Sequence, residues 1–196
     1  MDYINDRQKL LNLLKENLSE EKYAHSLGVE NTAMDLARVF GADEQKAGFA
    51  GLVHDVTKEM DNIRLAAEYS IEKYVSPKTL HAYTGAVYLQ KNHITQDEDI
   101  LAAVKYHTTG REAMSVLEKI IYLADLIEPG RVYPAAMKIK PLCYENLDLA
   151  MFLSLKMTIK FILKHNMPID LNTVSAYNYY SRAAAEQSRN GGKEWK

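Results

Sequence analysis

The chain has 196 residues, of which 24 are basic and 26 acidic, and its formal net charge is −2. This near balance excludes the strongly basic surface that binds nucleic acids or anionic membranes. A hydrophobic content of 47% and a single cysteine, Cys143, are typical of a globular protein from a reducing compartment, so we expect cytoplasmic localisation. The charged N-terminus has no signal-peptide core, and no apolar run approaches the length of a membrane span.

Apolar residues recur at helical spacing along most of the chain, and no strand pattern is evident, so the sequence predicts an all-α fold. The first predicted helix is amphipathic and carries apolar residues from Ile4 to Leu18. Ser19 is predicted to cap a second helix over 20–40, which ends at Gly41. A third helix over 43–57 is apolar on nearly all sides and is predicted to be buried.

The helical pattern continues to the end of the chain, with shorter helices predicted over 61–68 and 78–91. Residues Thr95 to Glu98 are predicted to form a capping box that opens a helix ending near His107. Further helices are predicted over 113–127, 146–164 and 173–187, with an irregular stretch over 128–143. We therefore expect one domain over 1–187, with its core at about 20–130, and a disordered tail over 188–196.

His25, His54, His107 and Asp125 lie at or near helix ends, on faces that are otherwise apolar. His81 shares a face with Gly85 and Leu89, and Asp55, which follows His54, completes a set of six candidates expected to point inward. Any one of them is compatible with a hydrogen-bonded core residue, and a buried polar network without a ligand is the alternative interpretation. Burying two carboxylates and up to four imidazoles together is tolerable only if something strongly positive holds them. A divalent metal ion does so, because imidazole and carboxylate are ligands of iron, manganese, zinc and similar ions.

His54 and Asp55 are adjacent, so on a helix their side chains point about 100° apart. They can share one ion only if it lies beside the helix and neighbouring helices supply further ligands. His25 and Asp125 are candidates for those ligands.

Longer motifs surround these residues. All six lie in "YAHSLGVENTAMDLA", "AGLVHDVTKE", "HAYTGA" and "AVKYHTTGREAMSVLEKIIYLADLIEPGR", and "LNTVSAYNYY" follows near the end. Together the motifs resemble the HD-domain metal-dependent phosphohydrolases, and within them the YqeK family of symmetrical bis(5′-nucleosyl)-tetraphosphatases, over about residues 20–184. The resemblance implies an HD-domain helical bundle and a hydrolase of phosphoric anhydrides that cleaves diadenosine tetraphosphate into two molecules of ADP.

The resemblance also implies the site residues. His25, His54, Asp55 and Asp125 are expected to bind one or two divalent metal ions, with iron as the expected metal and manganese, cobalt, zinc or magnesium as alternatives. Substrate binding is expected from Lys22, His25, Lys58, His81, His107, Thr108, Arg131, Thr173, Tyr177 and Asn178. The last three belong to the expected nucleoside side of the pocket, and His81 and His107 are expected to contact the phosphates or a second ion.

We expect Asp55, Lys58, His81 and His107 to be catalytic. A metal-activated water would attack a phosphorus, basic side chains would offset the phosphate charge, and His81 or His107 would protonate the leaving diphosphate. The alternatives are another HD phosphohydrolase, acting on nucleoside mono- or triphosphates or cyclic nucleotides, and a non-catalytic nucleotide-binding HD module. The expected partner is a small-molecule nucleotide, without nucleic acid or membrane, and the sequence is compatible with a homodimer.

Overall fold

The fold is described from a computed structural model, which places residues 3–72 and 76–191, with side chains over 7–72 and 76–186. These residues form ten α-helices and no strand, which confirms the all-α prediction. The helices are α1 (Tyr3–Asn17), α2 (Glu20–Phe40), α3 (Glu44–Val53), α4 (Asn62–Glu68), α5 (Pro77–Lys91), α6 (Glu98–Tyr106), α7 (Val116–Ile127), α8 (Pro134–Cys143), α9 (Leu147–Lys164) and α10 (Leu171–Gly191). No helix in the described part of the chain is both long and apolar enough to cross a membrane.

Helix α3 lies at the centre of the bundle and is buried over its apolar part. It packs against α2, α6 and α7, while α5 packs against α6, and α9 joins α7 to α10. The close approach of α2 and α3 requires Gly51, because a Cβ atom there would lie only 3.0 Å from the backbone oxygen of Val29. The C-terminal end of α3 is thereby fixed in the interior of the bundle.

The predicted third helix ends four residues early. Helix α3 stops at Val53, and residues 54–59 form tight turns in which Lys58 N donates to Asp55 O at 2.8 Å. His54 and Asp55 therefore lie in a turn rather than within a helix. His54 itself keeps right-handed helical dihedrals, with φ −55° and ψ −35°.

Two predicted caps also differ. Asp97, not Thr95, caps α6: its carboxylate accepts hydrogen bonds from the backbone N–H groups of Asp99 and Ile100. Ser19 stands at the N-cap of α2, but its hydroxyl donates to Glu59 at 3.0 Å instead of capping the helix. A tertiary partner has replaced the local one in this case.

The stretch predicted to be irregular contains α8, so that prediction is wrong for 134–143. Pro134 occupies the first turn of α8, where the missing N–H costs nothing, and Ala136, Ile139 and Cys143 form its buried face. Helix α7 begins at Val116 rather than 113, because Ala113 has a positive φ of 49°. Helix α10 runs from Leu171 to Gly191, so 188–191 are helical rather than part of a disordered tail; residues 192–196 lie outside the described residues.

Candidate metal centre

The six predicted histidines and aspartates meet in one place, although they come from five separate elements. His25 lies in α2, His54 and Asp55 in the turn after α3, His81 in α5, His107 directly after α6, and Asp125 in α7. We refer to these six residues as the His/Asp cluster. Four of them are at most 4% exposed, and His25 and the Asp125 side chain are 9% and 23% exposed.

The four imidazoles form a chain of neighbours. Ring centroids are 5.3 Å apart between His25 and His54, 4.9 Å between His54 and His107, and 5.2 Å between His107 and His81. The carboxylates lie alongside this chain. Asp125 Oδ1 is 2.9 Å from His25 Nε2, and Asp55 Oδ1 is 3.1 Å from His81 Nε2 and 3.3 Å from His107 Nε2.

Three of the rings are oriented by hydrogen bonds on their outer nitrogen. Nδ1 of His54 bonds to Gly51 O and Nδ1 of His107 to Val104 O, each at 2.7 Å. Nδ1 of His25 bonds to Glu128 Oε1 at 3.0 Å. Carbonyl and carboxylate oxygens only accept, so each Nδ1 carries a proton. In the neutral forms of His54 and His107 the lone pair is therefore on Nε2, which faces the cluster. His25 differs, because its Nε2 lies 2.9 Å from Asp125 Oδ1. Burial lowers the pKa of His25, but the hydrogen bonds to Asp125 and Glu128 outweigh it and raise this pKa.

This arrangement leaves polar atoms without partners. His54 Nε2 and Asp55 Oδ1 are both buried and, within the described part of the chain, have no hydrogen-bond partner of good geometry. Lone pairs of Asp55, His81 and His107 point at one another across about 3 Å. Orphaned buried acceptors are costly, and only a proton or a cation between them removes the repulsion.

The protonation states suit a cation. Burial lowers the pKa of His54 to about 4, so this ring is neutral at pH 7. Burial opposes ionisation of Asp55, but the neighbouring imidazoles outweigh it and hold the pKa of this carboxyl well below its usual range. The pKa of Asp125 is lowered as well, since the hydrogen bond from His25 outweighs its burial. Ionised carboxylates and neutral imidazoles are the forms that bind metals.

The donor atoms fit a divalent metal. Three overlapping groups each bring their donor atoms within 4.8 Å of one another: His25, His54 and Asp55; His54, His107 and Asp125; and Asp55, His81 and His107. Nitrogen and carboxylate oxygen together suit iron, manganese or zinc more than magnesium or calcium, which prefer oxygen alone. The cluster thus has the composition, burial and unmet acceptors of a divalent metal site.

Basic side chains lie at both ends of the imidazole chain. At one end, Lys58 Nζ is 2.9 Å from His81 Nε2 and 3.6 Å from Asp55 Oδ1. At the other end, Arg131 donates to Asp125 Oδ1 at 2.8 Å and lies 3.4 Å from His25 Nε2. Lys22 is one turn before His25 on α2 and bonds to Glu21 at 3.0 Å.

The other predicted substrate-binding residues lie further along the chain. The hydroxyl of Thr108, next to His107, is buried and has no hydrogen-bond partner in the described structure. Thr173 donates to Thr109 O at 2.9 Å and is buried, and Tyr177 stacks on Phe152 with ring centroids 5.8 Å apart. Asn178 is exposed. These contacts give Thr173 and Tyr177 packing roles, and the assignment of all three to the nucleoside stays a prediction.

Glu128 was not among the predicted site residues. It is 5% exposed, accepts from His25 Nδ1 and also accepts from Gly130 N at 2.6 Å. The sequence offered one signal for it, a glutamate directly after the helix that carries Asp125, but its distance of 103 residues from His25 hid the contact.

Two cavities are described near these elements. The first, of about 460 Å³, lies between α2 and the turn after α7, and we call it the α2/α7 cavity; it is lined by Glu21, Lys22, Ala24, His25, Gly28, Glu128, Pro129, Gly130 and Arg131. The second, of about 710 Å³, lies between residues 70–72, α5, the end of α6 and the start of α10, and includes Tyr83, Tyr106 and Asn172. Only the first is lined by residues of the His/Asp cluster.

Comparison with known proteins agrees with this geometry. A family model described as the HD domain matches residues 23–130, which contain the whole His/Asp cluster. A symmetrical bis(5′-nucleosyl)-tetraphosphatase of Halalkalibacterium halodurans is 42% identical over 179 residues, covering 88% of this chain and 96% of that protein. The protein of the same name from Bacillus subtilis is 39% identical over 180 residues, covering 89% and 97%.

A solved structure is similar over the same range. The crystal structure of a protein from Clostridium acetobutylicum, described as a predicted HD superfamily hydrolase involved in NAD metabolism, is 36% identical with a TM-score of 0.83 and covers 90% of this chain and 97% of that chain. The matched region, the helical bundle and the His/Asp cluster agree with one another. The chain belongs to the HD-domain family and, within it, to the group of symmetrical bis(5′-nucleosyl)-tetraphosphatases.

Proposed function

We propose that this protein hydrolyses diadenosine tetraphosphate symmetrically, adding one water across the central phosphoanhydride to give two molecules of ADP. The observation that carries the proposal is the His/Asp cluster, whose buried donor atoms converge with basic side chains at both ends. Two relatives that match nearly their whole length carry the name of this activity.

The cluster is proposed to hold the metal through His25, His54, Asp55 and Asp125. A divalent ion bound there would supply an acidified water and polarise a phosphoryl oxygen. Asp55 also belongs to a second group of donors, with His81 and His107, so we propose that these two rings contact either the substrate phosphates or a second ion.

The chain's own cations would neutralise the phosphates. A tetraphosphate carries several negative charges, and phosphoryl transfer depends mainly on positioning and charge stabilisation. Lys58 contacts His81 and Arg131 lies next to His25, so we propose that they contact phosphates on either side of the scissile bond. Lys22 extends the Arg131 end, and the hydroxyl of Thr108 is a further donor.

The leaving ADP needs a proton on its terminal oxygen or an equivalent cation. Burial lowers the pKa of His81, and Lys58 Nζ lies within hydrogen-bond distance of its Nε2. We therefore propose that Lys58 offsets the charge on the leaving oxygen, and that His81, its hydrogen-bond partner at 2.9 Å, is one candidate for the acid that protonates this oxygen. His107, 3.2 Å from His81, is the other candidate acid.

Product analysis tests the proposal. Protein loaded with iron, and separately with manganese, is mixed with diadenosine tetraphosphate in water enriched in oxygen-18, and the products are separated by chromatography. ADP as the sole product, with label on the terminal phosphate of half the molecules, is expected. Production of AMP and ATP, or turnover by Asp55→Ala at the wild-type rate, would contradict it.

A panel of nucleoside mono- and triphosphates and cyclic nucleotides, run in parallel, ranks the other HD phosphohydrolase activities against this one. Metal analysis of protein purified without chelators identifies the ion and its stoichiometry, for which iron is our proposal. Sedimentation velocity tests the homodimer that the sequence allows.

A further inference from the structure

The α2/α7 cavity has the size of a small-molecule site. Its volume of about 460 Å³ lies within the usual range of roughly 300–1,000 Å³ for ligand pockets. Five of its lining residues come from the first half of α2, and four are the consecutive residues 128–131.

The cavity adjoins the His/Asp cluster. His25 and Arg131 line it, and the same two side chains contact Asp125, at 2.9 Å and 2.8 Å. A ligand in the cavity therefore lies next to the Arg131 end of the imidazole chain. Lys58, at the opposite end, does not line it.

The floor of the cavity is held in place by a buried carboxylate. Glu128 is fixed by His25 and by the N–H of Gly130, and it leaves no room for side chains at two positions. A Cβ atom at Gly28 would lie 2.6 Å from Glu128 Oε2, and one at Gly130 would lie 2.8 Å from Oε1. Both residues must therefore lack side chains, which keeps the space above them open.

The walls differ in chemistry from the floor. Ala24 and Pro129 supply apolar surface, while Lys22 and Glu21 stand at the rim with 32% and 84% of their side chains exposed. Sites for small molecules usually combine apolar surface with a small number of polar groups that fix the orientation of the ligand.

We infer that the α2/α7 cavity receives the nucleoside of one of the two ADP halves of the substrate. The inference rests on the proposed function: a substrate cut at its centre has two equal halves, so one nucleoside must lie beyond each end of the cluster. The base packs on Pro129 and Ala24, and the Glu21 carboxylate accepts hydrogen bonds from the ribose hydroxyls. Lys22 and Arg131 contact the phosphates that lead to this nucleoside.

Filling the cavity tests the inference. Ala24 is exposed on α2 and contributes no contact to the cluster, so Ala24→Trp and the smaller Ala24→Leu occupy the space without replacing a ligand. The control is Val39→Trp, on the same helix, 53% exposed and about 22 Å away along the axis. Melting temperature and metal content are measured for all three, and both are expected to match the wild type.

Binding is measured by calorimetry on metal-loaded protein with a diadenosine tetraphosphate analogue whose central bridging oxygen is replaced by methylene. Ala24→Trp is expected to weaken binding of the analogue about tenfold or more, because one base loses its stacking contact. Ala24→Leu is expected to weaken it by less. In hydrolysis assays the same variants should raise KM for diadenosine tetraphosphate while kcat changes little.

Unchanged affinity of Ala24→Trp for the analogue, or an equal loss in Val39→Trp, would overturn the inference. The analogue is not hydrolysed, so this result is independent of which products the wild type forms. A wild type that yields AMP and ATP yet binds the analogue through Ala24 would refute the proposed function and leave the cavity assignment standing.

Discussion

Glu128 holds the imidazole of His25 from behind: its Oε1 lies 3.0 Å from Nδ1, while Nε2 of the same ring lies 2.9 Å from Asp125. The same carboxylate accepts the N–H of Gly130 and so also shapes the turn that leads to Arg131. A carboxylate bonded to the outer nitrogen of a metal-binding histidine fixes the ring and raises its basicity. Glu128 thus connects a predicted metal ligand with a predicted phosphate contact.

Glu128→Gln is expected to weaken metal binding by roughly 10–100-fold, because His25 and Gly130 donate to different oxygens of Glu128 and the amide replaces one of them with a donor NH2 group. Metal affinity is measured by competition with a chromogenic chelator. Glu30→Gln is the matched control. Glu30 lies on α2 and is buried as Glu128 is, but it pairs with Arg7 and not with a residue of the His/Asp cluster. Equal metal affinity for Glu128→Gln and wild type would contradict the role.

Asp55→Asn is expected to reduce activity by at least ~100-fold, more than the loss of a residue that only orients a ligand. Its Oδ1 is the atom nearest to both His81 and His107, and an amide cannot supply the negative charge. Chelating the metal should lower the melting temperature of the wild type and leave that of Asp55→Asn unchanged. Asp35→Asn, an exposed change on α2, should behave as the wild type in both assays.

Lys58→Met is expected to lower kcat by roughly 100-fold with little effect on the melting temperature, because its ammonium acts on developing phosphate charge. The side chain is one third exposed and contacts His81 and Asp55, so its removal leaves no large void. Steady-state kinetics provide the measurement, with Lys160→Met, exposed on α9, as the control. A change in KM alone would assign Lys58 to substrate binding rather than to the leaving group.

Arg111→Met is expected to lower the free energy of unfolding by about 1–3 kcal/mol, because it leaves Glu118 buried without its cation. The pair is bidentate, at 2.6 and 2.7 Å, and Glu118 is only 1% exposed; the range allows for the 36% exposure of Arg111. It ties the loop after His107 to the start of α7. Urea unfolding is the measurement, and Arg38→Met, which breaks only exposed pairs, should have a much smaller effect than Arg111→Met.

Cys143 should make stability depend on alkaline pH. Burial raises the pKa of its thiol to about 12, against 9.0 for an exposed thiol. Between these values the unfolded chain binds fewer protons than the folded one, so the free energy of unfolding falls as pH rises above 9. At pH 10 the loss is about 1.4 kcal/mol.

Urea unfolding of wild type and Cys143→Ala at pH 8 and pH 10 measures this loss as a difference between the two proteins. The alanine variant should lack it, whatever other groups titrate. Identical pH slopes for the two proteins would show that the buried thiol ionises without penalty. The native thiol should also resist a disulfide reagent at pH 8 until the protein unfolds.

Local patterns explain most of the helices. The 3.6-residue period predicted the type and order of nine of the ten, and Gly41 ends α2 with a left-handed φ of 66° as predicted. Helix α8 was missed because its prolines, Pro134 and Pro141, are read as helix breakers, although Pro134 sits in the first turn and Ile139 and Cys143 bury the helix. The formation of α8 therefore depends on tertiary packing of its buried face.

The sequence by itself determined the composition of the centre: inward-facing histidines and aspartates on apolar helices are too costly to bury without a cation, and their motifs are those of the HD domain. It could not determine which atoms meet. Residues as far apart as His25 and Glu128 become neighbours only when α2 packs against α7. His54 and Asp55 likewise meet Asp125 and His107 only because α3 ends inside the bundle, next to the helices that carry them. The α2/α7 cavity likewise depends on tertiary packing. Its floor forms where the Glu128 carboxylate lies against Gly28, which is 100 residues earlier in the chain.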